Sequence, residues 1–167
     1  MNKTFDDSIE PSCLIPLLSR ISGQTIIKEK TLIVFDRDID SFKIYVSDVG
    51  LLCAKKDVAA EDVLYQSADL DDFKGGMVEN YVCGQLIANG YPCYYWISDR
   101  GAEVDFIIQR DGKVIPVEVK SADNTKAKSL TVYIGSYKPA YAVKLSARNF
   151  GFEGGKKTVP LYAAFCL

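Results

Sequence analysis

Four residues have the types and the spacing to build a hydrolytic metal site: Glu79, Asp105, Glu118 and Lys120. Carboxylates are hard oxygen donors suited to Mg²⁺ or Mn²⁺. An ion held by them polarises a phosphate and lowers the pKa of a bound water, and a neighbouring lysine orients that water or stabilises the negative charge that develops. The chain contains no histidine. That excludes Ser-His and Cys-His nucleophile systems and imidazole-held zinc or iron, so any metal must be held by oxygen. The cysteines at 13, 53, 83, 93 and 166 form no CxxC pair and are odd in number; they read as reduced, mostly buried side chains rather than a zinc site or a disulfide framework.

The elements that must position these residues follow from local patterns. Residues 92–98, 103–110 and 114–120 are rich in β-branched and aromatic side chains and are separated by Asp99-Arg100-Gly101 and Asp111-Gly112. These are turn signals between three consecutive antiparallel strands. Alternation puts Glu103, Asp105 and Ile107 on one face of their strand and Val104, Phe106 and Ile108 on the other; in the next strand Glu118 and Lys120 share a face opposite Val117 and Val119. A hairpin about Asp111-Gly112 then sets Asp105 opposite Glu118. Glu103 is either a second acid of this site or a surface residue. Asp69, Asp71 and Asp72 suit a helix start, residues 77–89 have helix-forming composition, and Gly90 supplies the stop. On that helix Glu79 lies among apolar neighbours near Cys83 and Leu86. A cation shared with Asp105 and Glu118 would relieve its desolvation and the repulsion among the acids.

Residues 126–137 read as a second helix, 140–146 as a fourth strand and 159–166 as a closing strand, giving the order αβββαβ with one further β. Upstream, a short helix near 15–21 and strands at 31–35 and 42–46, the last leading into residues 50–54, suggest a small appendage. Taken singly, each candidate has an ordinary explanation: Glu-x-Lys on a strand is commonly an exposed ion pair, opposed acids a solvated face, and Glu79 a rim residue. Trp96, Tyr94 and Tyr95 could stack nucleic-acid bases, but aromatic runs in a central strand usually belong to the core.

The order helix-Glu79, Asp105, Glu118-Val119-Lys120 resembles the PD-(D/E)XK nuclease superfamily, whose restriction-endonuclease-like core is a mixed sheet flanked by helices. A closer resemblance rests on five phrases in order: residues 42–52 (FKIYVSDVGLL), 73–80 (FKGGMVEN), 101–106 (GAEVDF), 115–121 (IPVEVKS) and 160–162 (PLY). They are similar to the uncharacterised domain found C-terminally in many bacterial and archaeal AAA-family ATPases, a family itself considered nuclease-like. The resemblance implies a nuclease-like domain over residues 41–167 behind an ATPase remnant or small appendage over 1–40. Residues 31–36 (TLIVFD) look like a Walker B strand, but Arg37 stands where Glu is usual; the alternative is a plain buried strand. Nothing upstream fits GxxxxGK[ST], and residues 151–158 (GFEGGKKT) fail its spacing, so no ATP hydrolysis is expected.

Two functions follow. One is a Mg²⁺- or Mn²⁺-dependent nuclease with Glu79, Asp105 and Glu118 as metal ligands, Lys120 beside the attacking water, and Lys126, Lys128, Lys144 and Arg148 contacting DNA phosphates. The other is a catalytically silent domain that binds nucleic acid or another protein. The net charge of -2 hides a split, since residues 1–111 carry 11 basic and 19 acidic side chains and residues 112–167 carry 9 and 3. A basic segment of this kind can form a polyanion-binding face. No apolar run approaches a membrane span, and the acidic N-terminus lacks the pattern of a secretory signal, so a cytoplasmic location is expected.

Overall fold

The computed structural model describes residues 18–23, 38–59, 61, 71–121 and 127–167. Its centre is a six-stranded mixed sheet with helices on both faces. The elements are β1 (Leu18–Gly23), β2 (Asp38–Val46), α1 (Val49–Lys55), α2 (Asp71–Ala88), β3 (Tyr94–Ile97), β4 (Glu103–Arg110), β5 (Lys113–Val119), α3 (Lys128–Tyr137), β6 (Ala142–Ser146), β7 (Gly151–Glu153) and β8 (Lys156–Pro160), followed by a 3₁₀ segment at Leu161–Cys166. The sheet runs β3-β4-β5-β6-β8-β7, and β1 and β2 form a separate antiparallel pair. From α2 to β6 the order is α, β, β, β, α, β, as the sequence patterns require.

The central hairpin is set by its turn. Asp111 and Gly112 both have positive φ, 51° and 68°, the conformation a two-residue type I′ connection needs to match strand twist. From that turn β4 and β5 pair antiparallel, from Arg110↔Lys113 to Phe106↔Val117. β5 then pairs parallel with β6, through the crossover that carries α3, and β6 pairs parallel with β8.

Each face of the sheet buries its own cluster. α2 contributes Val82, Cys83 and Leu86 to one, together with Phe106, Ile108, Ile115, Val117, Val119 and Leu145 from the strands and Tyr45 from β2. α3 contributes Leu130 and Tyr133 to the other, with Trp96, Val104, Ile107, Val114 and Ala142. α2 ends where Gly90 takes a φ of +80°; its N–H bonds the Ile87 carbonyl and the next N–H, of Tyr91, bonds that of Leu86, a Schellman closure.

Several expectations are corrected. Residues 18–21, expected at the end of a short helix, belong to strand β1, where cross-strand pairing with β2 decides the conformation; residues 15–17 lie outside the described residues, as does the 31–36 segment. The closing strand is shorter and earlier than residues 159–166. β8 stops at Pro160, which has no N–H to extend a ladder, and the chain turns into the 3₁₀ segment. Residues 151–158, polar and glycine-rich, form the β7–β8 hairpin, with Gly154 and Gly155 both at positive φ. Residues 50–54 lie in helix α1, capped by Asp48, whose side chain accepts the Leu51 N–H at 3.0 Å. Tyr95 and Trp96 are buried, as expected of an aromatic run in a central strand, and the Trp96 ring meets Tyr133 edge-on at 5.2 Å. β2 spans residues 38–46, across the division drawn at residue 40. Among the described residues no helix is long and apolar enough to cross a membrane.

Candidate functional site

Asp105 sits on a β-bulge. On β3, Tyr94 and Trp96 are two residues apart, while their partners on β4, Ile107 and Val104, are three apart. The extra residue breaks the alternation: Val104 and Ile107 both pack on the α3 side, and Phe106 and Ile108 on the α2 side. The simple assignment of Val104 to one face with Phe106 and Ile108 is therefore corrected. Bulges commonly re-aim a side chain beside a functional site. Here the β4–β5 ladder ends at Phe106↔Val117, and beyond it the Asp105 carboxylate accepts the Val119 N–H at 2.7 Å. Its side chain thus closes the gap where the two strands part. Burial, then the negative charges of Glu118 and Glu79, push the Asp105 pKa up to about 7.

Glu118 is only 3% exposed. Its Oε1 receives the Lys120 ammonium at 2.7 Å, while its Oε2 is buried with no hydrogen-bond partner. Burial raises its pKa; Lys120 opposes the shift, and Glu103 and Glu79 add to it. Burial alone would lower the Lys120 pKa, but the bond to Glu118 more than compensates and the lysine stays charged. A buried carboxylate oxygen left without a donor is costly, and a cation or a bound donor is the kind of group that would satisfy it. Carboxylate oxygens of this kind are the donors a hard divalent ion takes.

Glu79, on α2, is committed elsewhere. Its Oε1 accepts Lys43 Nζ at 2.9 Å and the Tyr45 hydroxyl, and Lys43 also pairs with Glu103. Among the described residues no group of three or more acidic or cysteine side chains is arranged to hold a metal ion. Glu79 and Glu103 belong to the same electrostatic cluster as Asp105 and Glu118, but the ammonium of Lys43 stands between that acid pair. Burial pulls the Lys43 pKa down, and Glu103 and Glu79 more than restore it.

Lys43, Tyr45 and Asn80 were not singled out in the sequence. Lys43 and Tyr45 alternate inward on β2 while Phe42 and Ile44 are exposed. Asn80, buried next to Glu79, accepts the Val46 N–H and donates to the Val46 carbonyl, both at 2.8 Å. A buried asparagine on an otherwise apolar helix flank was the available signal, since such a group needs partners. Of the proposed phosphate contacts, Lys126 lies outside the described residues, Lys128 is exposed at the start of α3, and Arg148 is exposed after β6. Lys144 is half-buried within β6, in register with Glu118 on one side and Thr158 on the other.

No curated protein and no solved structure matches the chain. A family model described as "Domain of unknown function (DUF4143)" matches residues 74–164, which span α2 to the 3₁₀ segment and carry Glu79, Asp105, Glu118 and Lys120. The match is consistent with a C-terminal domain of AAA-type ATPases. It covers more than half of the sequence, and the chain belongs to the DUF4143 family.

Proposed function

We propose that this domain is a PD-(D/E)XK-type, restriction-endonuclease-like phosphodiesterase core that cleaves DNA with Mg²⁺ or Mn²⁺. The observation that carries the reading is the buried, partnerless Oε2 of Glu118 on the strand next to Asp105, whose carboxylate is held in the gap by Val119. The element order, with Glu79 on the preceding helix and Lys120 two residues past Glu118, supports it. Asp105 and Glu118 would hold the ion, with Glu79 behind them. Once bound, the ion would polarise the scissile phosphate and acidify the attacking water.

The protein's own residues would do the rest. Lys120, anchored on Glu118 Oε1 and partly exposed, would orient the attacking water or offset negative charge on the phosphate. Lys126, Lys128, Lys144 and Arg148 would lie along the phosphate backbone. The bulge would fix the Asp105 oxygens through Val119, leaving little reorganisation on metal binding. Residues 1–40 would be an ATPase-like segment or a small appendage.

Incubation of supercoiled plasmid with the protein and Mn²⁺ tests the reading. Nicking or linearisation that disappears in Asp105→Asn and in Lys120→Met is the expected result, and activity unaltered by Asp105→Asn rules the assignment out. One observation favours a second reading, a catalytically silent domain that binds nucleic acid or protein: Lys43 already neutralises Glu79 and Glu103. In that case calorimetry with Mn²⁺ shows no binding.

A further inference from the structure

We infer that Lys43 is a resident ammonium that reserves Glu79 and Glu103 for itself and so restricts the divalent ion to Asp105 and Glu118. The inference rests on the metal-site reading above and adds a residue from before the family-matched segment.

Lys43 is fixed from several sides. Its Nζ bridges Glu79 on α2 and Glu103 at the start of β4 and lies 5.2 Å from the centre of the Tyr95 ring on β3. Two residues along β2, Tyr45 donates to the same Glu79 oxygen, and its ring packs against Phe106 at 5.9 Å. One residue further, Val46 is clamped through both backbone groups by Asn80. Because Asn80 is the neighbour of Glu79, the clamp sets the register of β2 on α2, and a slip of one residue would turn Lys43 outward.

The charges then have a definite balance. With all four carboxyls ionised, Glu79, Glu103, Asp105 and Glu118 supply four negative charges, and Lys43 and Lys120 supply two positive ones. Two negative charges remain, the amount one divalent ion neutralises. Without Lys43 a third carboxylate becomes available and the local field on the ion grows, so the ion should be held more tightly.

The test is Mn²⁺ binding followed by calorimetry and by the electron paramagnetic resonance signal of free Mn²⁺, on the whole chain. The parent, Lys43→Met, Lys43→Arg, Asp105→Asn and the double variant Lys43→Met/Glu79→Gln are compared, each checked for folding by thermal melting. Lys43→Met should bind about tenfold more tightly or better, Lys43→Arg should match the parent, and the double variant should lose the gain. Binding in Lys43→Met but not in the parent also supports the inference. Parent binding that is abolished by Asp105→Asn but not strengthened by Lys43→Met overturns the role of Lys43 and leaves the metal site standing. Absence of binding in every variant overturns both.

Discussion

At the scale of single residues, the carboxyl cluster carries a cost in stability, and Asp105 is where that cost is measurable. Its pKa rises from 3.8 to about 7 on folding. Between those values the folded protein keeps a proton that the unfolded chain has released, so stability falls as pH rises through that window and is flat above it. Asp105→Asn removes the titration and can still accept the Val119 N–H. Its stability relative to the parent should therefore increase by about 2 kcal/mol between pH 5 and pH 8 in urea unfolding; a gap that stays constant or narrows contradicts the burial and charge argument. Mn²⁺ should raise the melting temperature of the parent, more at pH 8 than at pH 6, and leave Asp105→Asn unmoved. Glu118 gives a complementary case. Lys120→Met strands a buried carboxylate and should destabilise by about 3 kcal/mol, whereas adding Glu118→Gln should recover most of the loss. The four candidates could be found in the sequence because each lies on a regular element with a recognisable pattern. Lys43 and Tyr45 could not, and for Asn80 only the need for a partner was legible, since their roles exist only once β2 docks on α2, a contact made across some 35 residues of sequence for which no local spacing codes.

At the scale of elements, the bulge on β4 and the docking of β2 decide where the acids point. Turn chemistry announced the hairpin at Asp111-Gly112, and β-branched runs announced β3 to β6, because those signals are local. The bulge was hidden by its own sequence: Phe106, Ile107 and Ile108 are all apolar, so either frame of alternation fills both faces. The β7–β8 hairpin was hidden because Lys156, Lys157 and Thr158 pair at the sheet margin without an apolar face to advertise them. The β2 docking makes a prediction of its own. Asn80→Ala removes both bonds to Val46 and should cost about 2 kcal/mol. Its distinguishing readout is amide exchange: the Val46 N–H should lose protection far more than the N–H groups of β5. Equal changes in both would mean general destabilisation rather than release of β2. Freed from its clamp, β2 should also present Lys43 less firmly, so Asn80→Ala should shift Mn²⁺ affinity in the same direction as Lys43→Met, and by less.

At the scale of the whole molecule, the proposed function would use the uneven charge as a nucleic-acid face, but only part of the basic segment is available for one. Lys156 Nζ bonds the Thr131 hydroxyl at 3.0 Å, tying β8 to α3, and Lys157 lies 3.8 Å from the centre of the Tyr141 ring. Lys120 is taken by Glu118. Lys128 and Arg148 are exposed and carry the phosphate-binding proposal best. Each lysine or arginine that neutralises a duplex phosphate releases condensed counterions, so the logarithm of the association constant falls with the logarithm of salt by about 0.9 per contact. Lys128→Gln/Arg148→Gln should therefore weaken binding to a short duplex at low salt and reduce the salt slope by about 2. Lys156→Gln should leave the slope nearly unchanged, because that ammonium already serves the fold. The parent, the double variant and the control are compared by fluorescence anisotropy over a range of salt concentrations. Parallel lines for the parent and the double variant would mean that these cations are solvated surface. Under that outcome the phosphate backbone would have to meet the protein elsewhere, and charge asymmetry would no longer count as support for a nucleic-acid substrate.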